Sequence, residues 1–189
     1  MFKSLKLFIF LSAVMLSLIA LTSFKQDSEV YKTSNGKINF SSEAPLELIK
    51  AESNDLVGIL DAGKKNFSFK VLIRSFEGFN SRTQREHFNE NYLQSDKYPE
   101  ASFRGKIIED VDLSKDGNYT VRAKGILIIH GVEQERIIKS DLTVKENKVM
   151  IKSDFSVLLS DHNIPIPKVV YQKLANEIKV QVNAGLQPR

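Results

Sequence analysis

The stretch from Phe67 to Phe76 constrains the fold most. Phe67, Phe69, Val71 and Ile73 occupy alternate positions, with Ser68, Lys70 and Arg74 on the opposite parity. A two-residue period puts those apolar side chains on one face of an extended strand, whereas a helix would scatter them. Leu72 interrupts the polar side, which predicts an outer face partly covered at that point. The pattern recurs along the chain. Ile38 and Phe40 alternate in Lys37 to Ser41, and Phe103 and Ile107 oppose Arg104 and Lys106 in Ala101 to Val111. Tyr119, Val121, Ala123, Leu127 and Ile129 share one side of the next strand, where Gly125 predicts a bulge or bend. Arg136 to Val144, Val149 to Phe155 and Glu177 to Ala184 follow, the last with Ile178, Val180, Val182 and Ala184 aligned.

Turn residues punctuate these strands. Asp61 to Asn66 and Lys145 to Lys148 read as hairpin loops, and Ser114 to Asn118 contains Asp116-Gly117, a strong hairpin signal. Asn54-Asp55 reads as a turn separating Leu46–Ser53 from Leu56–Leu60. Strands and turns at this spacing predict an all-β antiparallel sandwich or barrel. Two segments depart from it. Ser81-Arg82-Thr83-Gln84 fits a capping box that opens a short helix from Arg82 to Leu93, with Phe88 and Tyr92 on one face. Lys168 to Ala175, after Pro165-Ile166-Pro167, reads as a second short helix.

The 189 residues suffice for one domain with a hydrophobic core. Twelve Phe and no Trp make the apolar content suitable for a core or a greasy cavity. The start of the chain is different in kind. Lys3 and Lys6 precede an almost wholly apolar run from Leu7 to Leu21, and polar residues resume at Thr22-Ser23. This is the layout of a secretory signal peptide over residues 1–23, and the run is shorter than the roughly 20 residues that cross a bilayer. An uncleaved anchor is the competing reading. The domain is then residues 24–189, exported, with no integral membrane span once the leader is removed. Of the 27 basic and 23 acidic residues, the leader takes two lysines, so the basic pI is a weak clue. No basic patch interleaved with aromatics points to nucleic acid. The chain has no cysteine, which excludes thiolate metal sites, Fe–S clusters and cysteine nucleophiles.

Several motifs, in order, resemble one family. A strand leads into Arg85-Glu86-His87-Phe88, and Tyr98-Pro99-Glu100-Ala101-Ser102-Phe103 follows. Further on come Gly125-Ile126-Leu127-Ile128-Ile129-His130-Gly131-Val132 and Ser153-Asp154-Phe155. Together they are similar to the signature of the YceI family of polyisoprenoid-binding proteins, over roughly Ser34 to Ala184. The resemblance implies a lipocalin-like antiparallel β-barrel with an internal apolar tunnel, one or two short helices, and a periplasmic or secreted, non-enzymatic protein. It also implies an isoprenoid or similar amphiphile as partner, no cofactor, and room for a homodimer. Two departures stand out. His87 directly follows Glu86, and the Asp161–Pro167 connection lacks the glycines expected there, so headgroup preference is open.

The residue-level reading keeps its alternatives. Phe67, Phe69, Val71, Ile73, Phe103, Ile107, Leu127 and Ile129 are the candidate lining of an apolar cavity, or else part of a solid core. Arg85 and His87 are candidates for a headgroup or mouth site, since a guanidinium suits an oxyanion, or else they bond to loop carbonyls. His130 reads as a side chain bonded to turn backbone. The histidines at 87, 130 and 162 have no metal-ligand spacing, and no serine sits in a nucleophile elbow. Three functions follow in order: an exported lipid-binding barrel, a filled-core interaction or stress-associated module, and an enzyme acting on a lipid headgroup.

Overall fold

The computed structural model describes residues 30–189. The expected leader over residues 1–23 lies outside them. Eight strands run antiparallel in chain order and close on themselves: β1 (Val30–Glu43), β2 (Leu48–Asp61), β3 (Asn66–Leu72), β4 (Glu100–Ile107), β5 (Gly117–Ile129), β6 (Val132–Lys145), β7 (Lys148–Leu158) and β8 (Glu177–Pro188). Closure comes from β8 pairing with β1, as in Phe40↔Val180 and Tyr31↔Pro188. Closure gives every strand two neighbours, although β6 and β7 pair over only part of their length.

Antiparallel alternation sends the even connections and both termini to one end and the odd connections to the other. The first end is compact. The β6–β7 turn is two residues, Glu146 and Asn147, both with positive φ (51° and 57°), as the twist of a tight hairpin requires. Tyr31, Leu113, Val144, Val149 and Leu186 fill this end with almost no exposure. The Tyr31 hydroxyl donates to Asn147 Oδ1 at 2.9 Å. In the β4–β5 loop the Ser114 hydroxyl, with Lys115 and the Ser114 backbone N–H, holds the Asp112 carboxyl at a pKa of about 2.

The other end carries two long excursions. Between β3 and β4, Ser81 Oγ accepts from Gln84 N–H and caps α1 (Arg82–His87), which continues as a wide π turn, Phe88–Tyr92. Gln84 Oε1 accepts from Asn80 N–H, one residue before the cap. Between β7 and β8 run two 3₁₀ turns, Leu159–His162 and Lys168–Val170.

The structure changes the local reading at five places. Asn54-Asp55 is not a turn: β2 is continuous, and its register against β1 slips between Ile38↔Ser53 and Gly36↔Leu56. The extra residue is absorbed as a bulge, with Asp55 N–H donating to Ser53 Oγ. Gly125 is not a bulge either, since it pairs in register with Gly105. A Cβ on Gly125 would stand 2.3 Å from Arg104 O, and one on Gly105 2.1 Å from Lys124 O, so the pair permits a close backbone approach. Ile73 lies beyond β3, in a 3₁₀ turn (Ile73–Ser75), though still buried. Leu72 is half exposed rather than covered. The expected second helix shortens to Lys168–Val170 followed by turns.

Candidate functional site

The inward residues do not meet in the middle. They enclose a cavity of ≈ 250 Å³, roughly twenty times the ~10–15 Å³ that admits one water. It runs from Leu60, Val121 and Leu142 near the compact end to Ile49, Gln84 and Leu174 at the other. None of the residues that plug the compact end borders it. Its walls are Phe, Ile, Leu and Val. The polar residues around it are Ser42, Lys70, Gln84, Tyr92, Ser102, Ser140 and Ser153. Several of them are occupied: Ser140 Oγ and Ser153 Oγ share a hydrogen bond of 2.6 Å, and Ser42 Oγ accepts from Ala175 N–H at 2.8 Å.

Phe67, Phe69, Val71, Ile73, Phe103, Ile107, Leu127 and Ile129 all border this cavity. Phe69, Phe103 and Ile129 are inward-facing yet only partly buried, because the space beside them is open. Sequence reasoning left out a second set of lining residues: Ile38 and Phe40 on β1, Val180 and Val182 on β8, and Phe76, Phe79 and Phe88 from the β3–β4 excursion. Alternation marked the strand members, and the four-residue spacing of Phe88 and Tyr92 marked the helix face. Phe40, Phe76, Phe79 and Phe88 form one aromatic group. Phe40 stacks on Phe88 at 5.4 Å between centroids and sits 5.4 Å from Phe76 and 6.0 Å from Phe79.

Arg85 and His87 are placed elsewhere. Of α1 and the turn after it, Gln84, Phe88 and Tyr92 border the cavity, while Arg85 and His87 do not. Arg85 Nη2 donates to Arg74 O at 3.1 Å and stands 3.7 Å from Glu77 Oε1, and His87 is exposed. Arg74 in turn pairs with Asp96. These contacts tie the helix to the loop beside it.

The barrel wall is thinned on one side. β6 and β7 pair only from Ser140↔Ser153 to Lys145↔Lys148, so Val132–Lys139 has no backbone ladder to β7. Side chains bridge that seam. Arg136 Nη2 donates to Ser156 O at 2.8 Å with Asp161 3.7 Å away, and Gln134 Nε2 donates to Asp161 O at 2.7 Å. Two histidines finish it: His162 Nδ1 reaches Val132 O at 3.2 Å, and His130 Nδ1 reaches His162 O at 3.1 Å. A carbonyl only accepts, so both rings carry their proton on Nδ1. Tyr98 packs edge-on against His130 at 4.8 Å. Burial pushes His162 below the usual imidazole range, against the opposing pull of the Val132 and Ile129 carbonyls. Burial raises the Tyr92 phenol. Among the described residues no cluster of three or more His, Cys, Asp or Glu could hold a metal, and no helix is long and apolar enough to cross a membrane.

Comparison with known proteins agrees with this architecture. Among solved structures, a polyisoprenoid-binding domain from Saccharophagus degradans implicated in plant cell wall breakdown superposes with a TM-score of 0.72 at 11% identity, covering 86% of this chain and 100% of that one. BcnA of Burkholderia cenocepacia gives 0.65 at 14% identity over 79% and 95%. The YceI protein of Campylobacter jejuni gives 0.56 at 16% identity over 72% and 82%. At such identities the likeness is one of fold. No curated protein matches the chain. The model of the YceI-like domain matches residues 23–186, nearly the whole length, and the chain therefore belongs to the YceI-like family.

Proposed function

We propose that this protein is an exported carrier that holds an isoprenoid or similar amphiphilic lipid inside its barrel, and that it binds rather than catalyses. One observation supports this above all: the inward face leaves a long apolar cavity where a filled core would leave none. A single-chain lipid placed there gains about 0.8 kcal/mol for each CH₂ taken from water, so affinity needs few polar contacts. The polyisoprenoid-binding relative supports the class of ligand. The leader-like residues 1–23 support export to the periplasm or beyond.

Native mass spectrometry of the mature protein from its exported compartment, with solvent extraction of anything bound, tests the proposal. A co-purifying molecule of prenyl-lipid mass is the expected result. An apo mass that stays unchanged after incubation with prenyl lipids would sink the carrier reading and bring forward an interaction module.

A further inference from the structure

The cavity reaches the end of the barrel that also carries the most exposed apolar side chains. Val169 is 90% exposed, Leu46 66% and Tyr171 65%, with Leu48 half exposed beside them. They form one surface. Leu46 N–H donates to Gln172 O at 2.9 Å, which ties the β1–β2 turn to the β7–β8 excursion. Leu174, two residues on, borders the cavity, so rim and cavity share a segment. The other exposed apolar residues, such as Ile59, Ile137 and Met150, sit singly on outer strand faces, which is ordinary.

The charge around the rim has a sign. Pro165 to Asn176 contains Lys168 and Lys173 and no acid, and both lysines are exposed with no ion pair among the described residues. Lys50, on the adjoining strand, is exposed and has no ion pair within 4 Å among the described residues, though its charge acts on Glu43. Of the nearby acids, Glu43 is neutralised by Lys179 at 2.6 Å, while Glu47, whose partner Gln84 Nε2 is uncharged, and Glu177 keep their charge, so the three lysines outnumber the two remaining acids. Exposed aliphatic and tyrosine side chains flanked by unpaired lysines suit the boundary between acyl chains and anionic headgroups. A protein surface that carried these residues for no partner would risk aggregation.

We infer that this rim docks on an anionic phospholipid bilayer, with Val169 and Tyr171 entering the interface and Lys168 and Lys173 meeting headgroups. The inference rests on the cavity being a lipid site. Docked there, the cavity receives an apolar chain from the bilayer without passing it through water.

Flotation of the mature full-length protein with vesicles tests it. Phosphatidylglycerol–phosphatidylcholine vesicles are compared with pure phosphatidylcholine, for wild type, for the double variant Val169→Asp/Tyr171→Asp and for Lys168→Gln/Lys173→Gln. The wild type is expected to float with anionic vesicles. The aspartate variant should lose about tenfold or more in partitioning. The glutamine variant should lose about fivefold per lysine and much of the salt dependence. Binding of a water-soluble short-chain prenyl phosphate should be the same in all three, since none of the four residues borders the cavity. Wild type that ignores anionic vesicles, or an aspartate variant that floats like wild type, overturns docking while soluble binding still reports on the cavity. Vesicle binding without soluble prenyl binding overturns the cavity reading instead. A wild-type dimer in sedimentation that the aspartate variant abolishes, without vesicle binding, assigns the rim to a second copy.

Discussion

The two ends of the barrel follow opposite rules. The compact end has tight turns and a plug of Tyr31, Leu113, Val144, Val149 and Leu186, with the tyrosine hydroxyl bonded. The other end has long excursions, a seam without a backbone ladder and exposed apolar side chains. All the buried side-chain polar atoms without a hydrogen-bond partner among the described residues (Asn89 Oδ1, Ser95 Oγ, His130 Nε2 and His162 Nε2) belong to it. Buried polar groups are normally satisfied, and unsatisfied ones gather where a fold gives up stability for something else. The contrast is between an end built as a packed plug and an end that the cavity reaches.

Substitutions at four positions sharpen or break that contrast. Tyr31→Ala removes a fully buried aromatic from the compact end and should lower unfolding free energy by about 4 kcal/mol, read by urea denaturation. Prenyl-lipid affinity of the remaining folded fraction should not change. Phe103→Asp puts a carboxylate on the cavity wall, where an occupying lipid must desolvate it. Affinity should fall by about a hundredfold or more, roughly 3 kcal/mol, while Phe103→Leu retains most of it in the same titration. Equal loss in both would mean that the wall acts by shape rather than polarity.

Arg136→Ala takes away the charged donor across the seam and should cost about 2 kcal/mol. Hydrogen exchange should speed up first in Val132–Lys139 and Asp154–Leu158, not at the compact end. His162 gives the smallest effect, and it depends on pH. Its folded pKa is lowered, so the unfolded state takes up a proton first as pH drops. The neutral ring's contribution is therefore full above the unfolded value of about 6.5 and is lost as pH falls below it, by at most about 1.4 kcal/mol per pH unit. His162→Gln should flatten that part of the stability profile, and an unchanged slope would assign it to other groups.

Much of this was legible in the sequence, for a local reason. Side-chain direction in a strand has a strict period of two, so the parity of Phe67, Phe103 and Leu127 pointed them to the interior whatever their partners were. Ile73 kept that parity even though its segment coils into a 3₁₀ turn. What failed depended on partners distant in sequence. Asn54-Asp55 has turn chemistry, but pairing with β1 on one side carried the strand through it as a bulge. Gly125 reads as a bend until Gly105 is seen opposite. Gln134 and Arg136 share the inward parity of Ile138, Ser140 and Leu142 yet are polar, because they bridge a seam with no β7 backbone opposite. Arg85 and His87 drew attention as a dense polar motif. Their neighbours Gln84 and Phe88 face the cavity instead, and one helical step makes the difference.

The most direct test of the central claim is photocrosslinking with a prenyl phosphate that carries a diazirine at the tail end, followed by peptide mapping. A tail held in the cavity should label wall residues such as Phe40, Phe103 and Phe155, and leave Leu113, Val149 and Leu186 at the compact end unlabelled. Adducts confined to the outer wall, or spread evenly over both ends, would contradict a lipid site within the barrel.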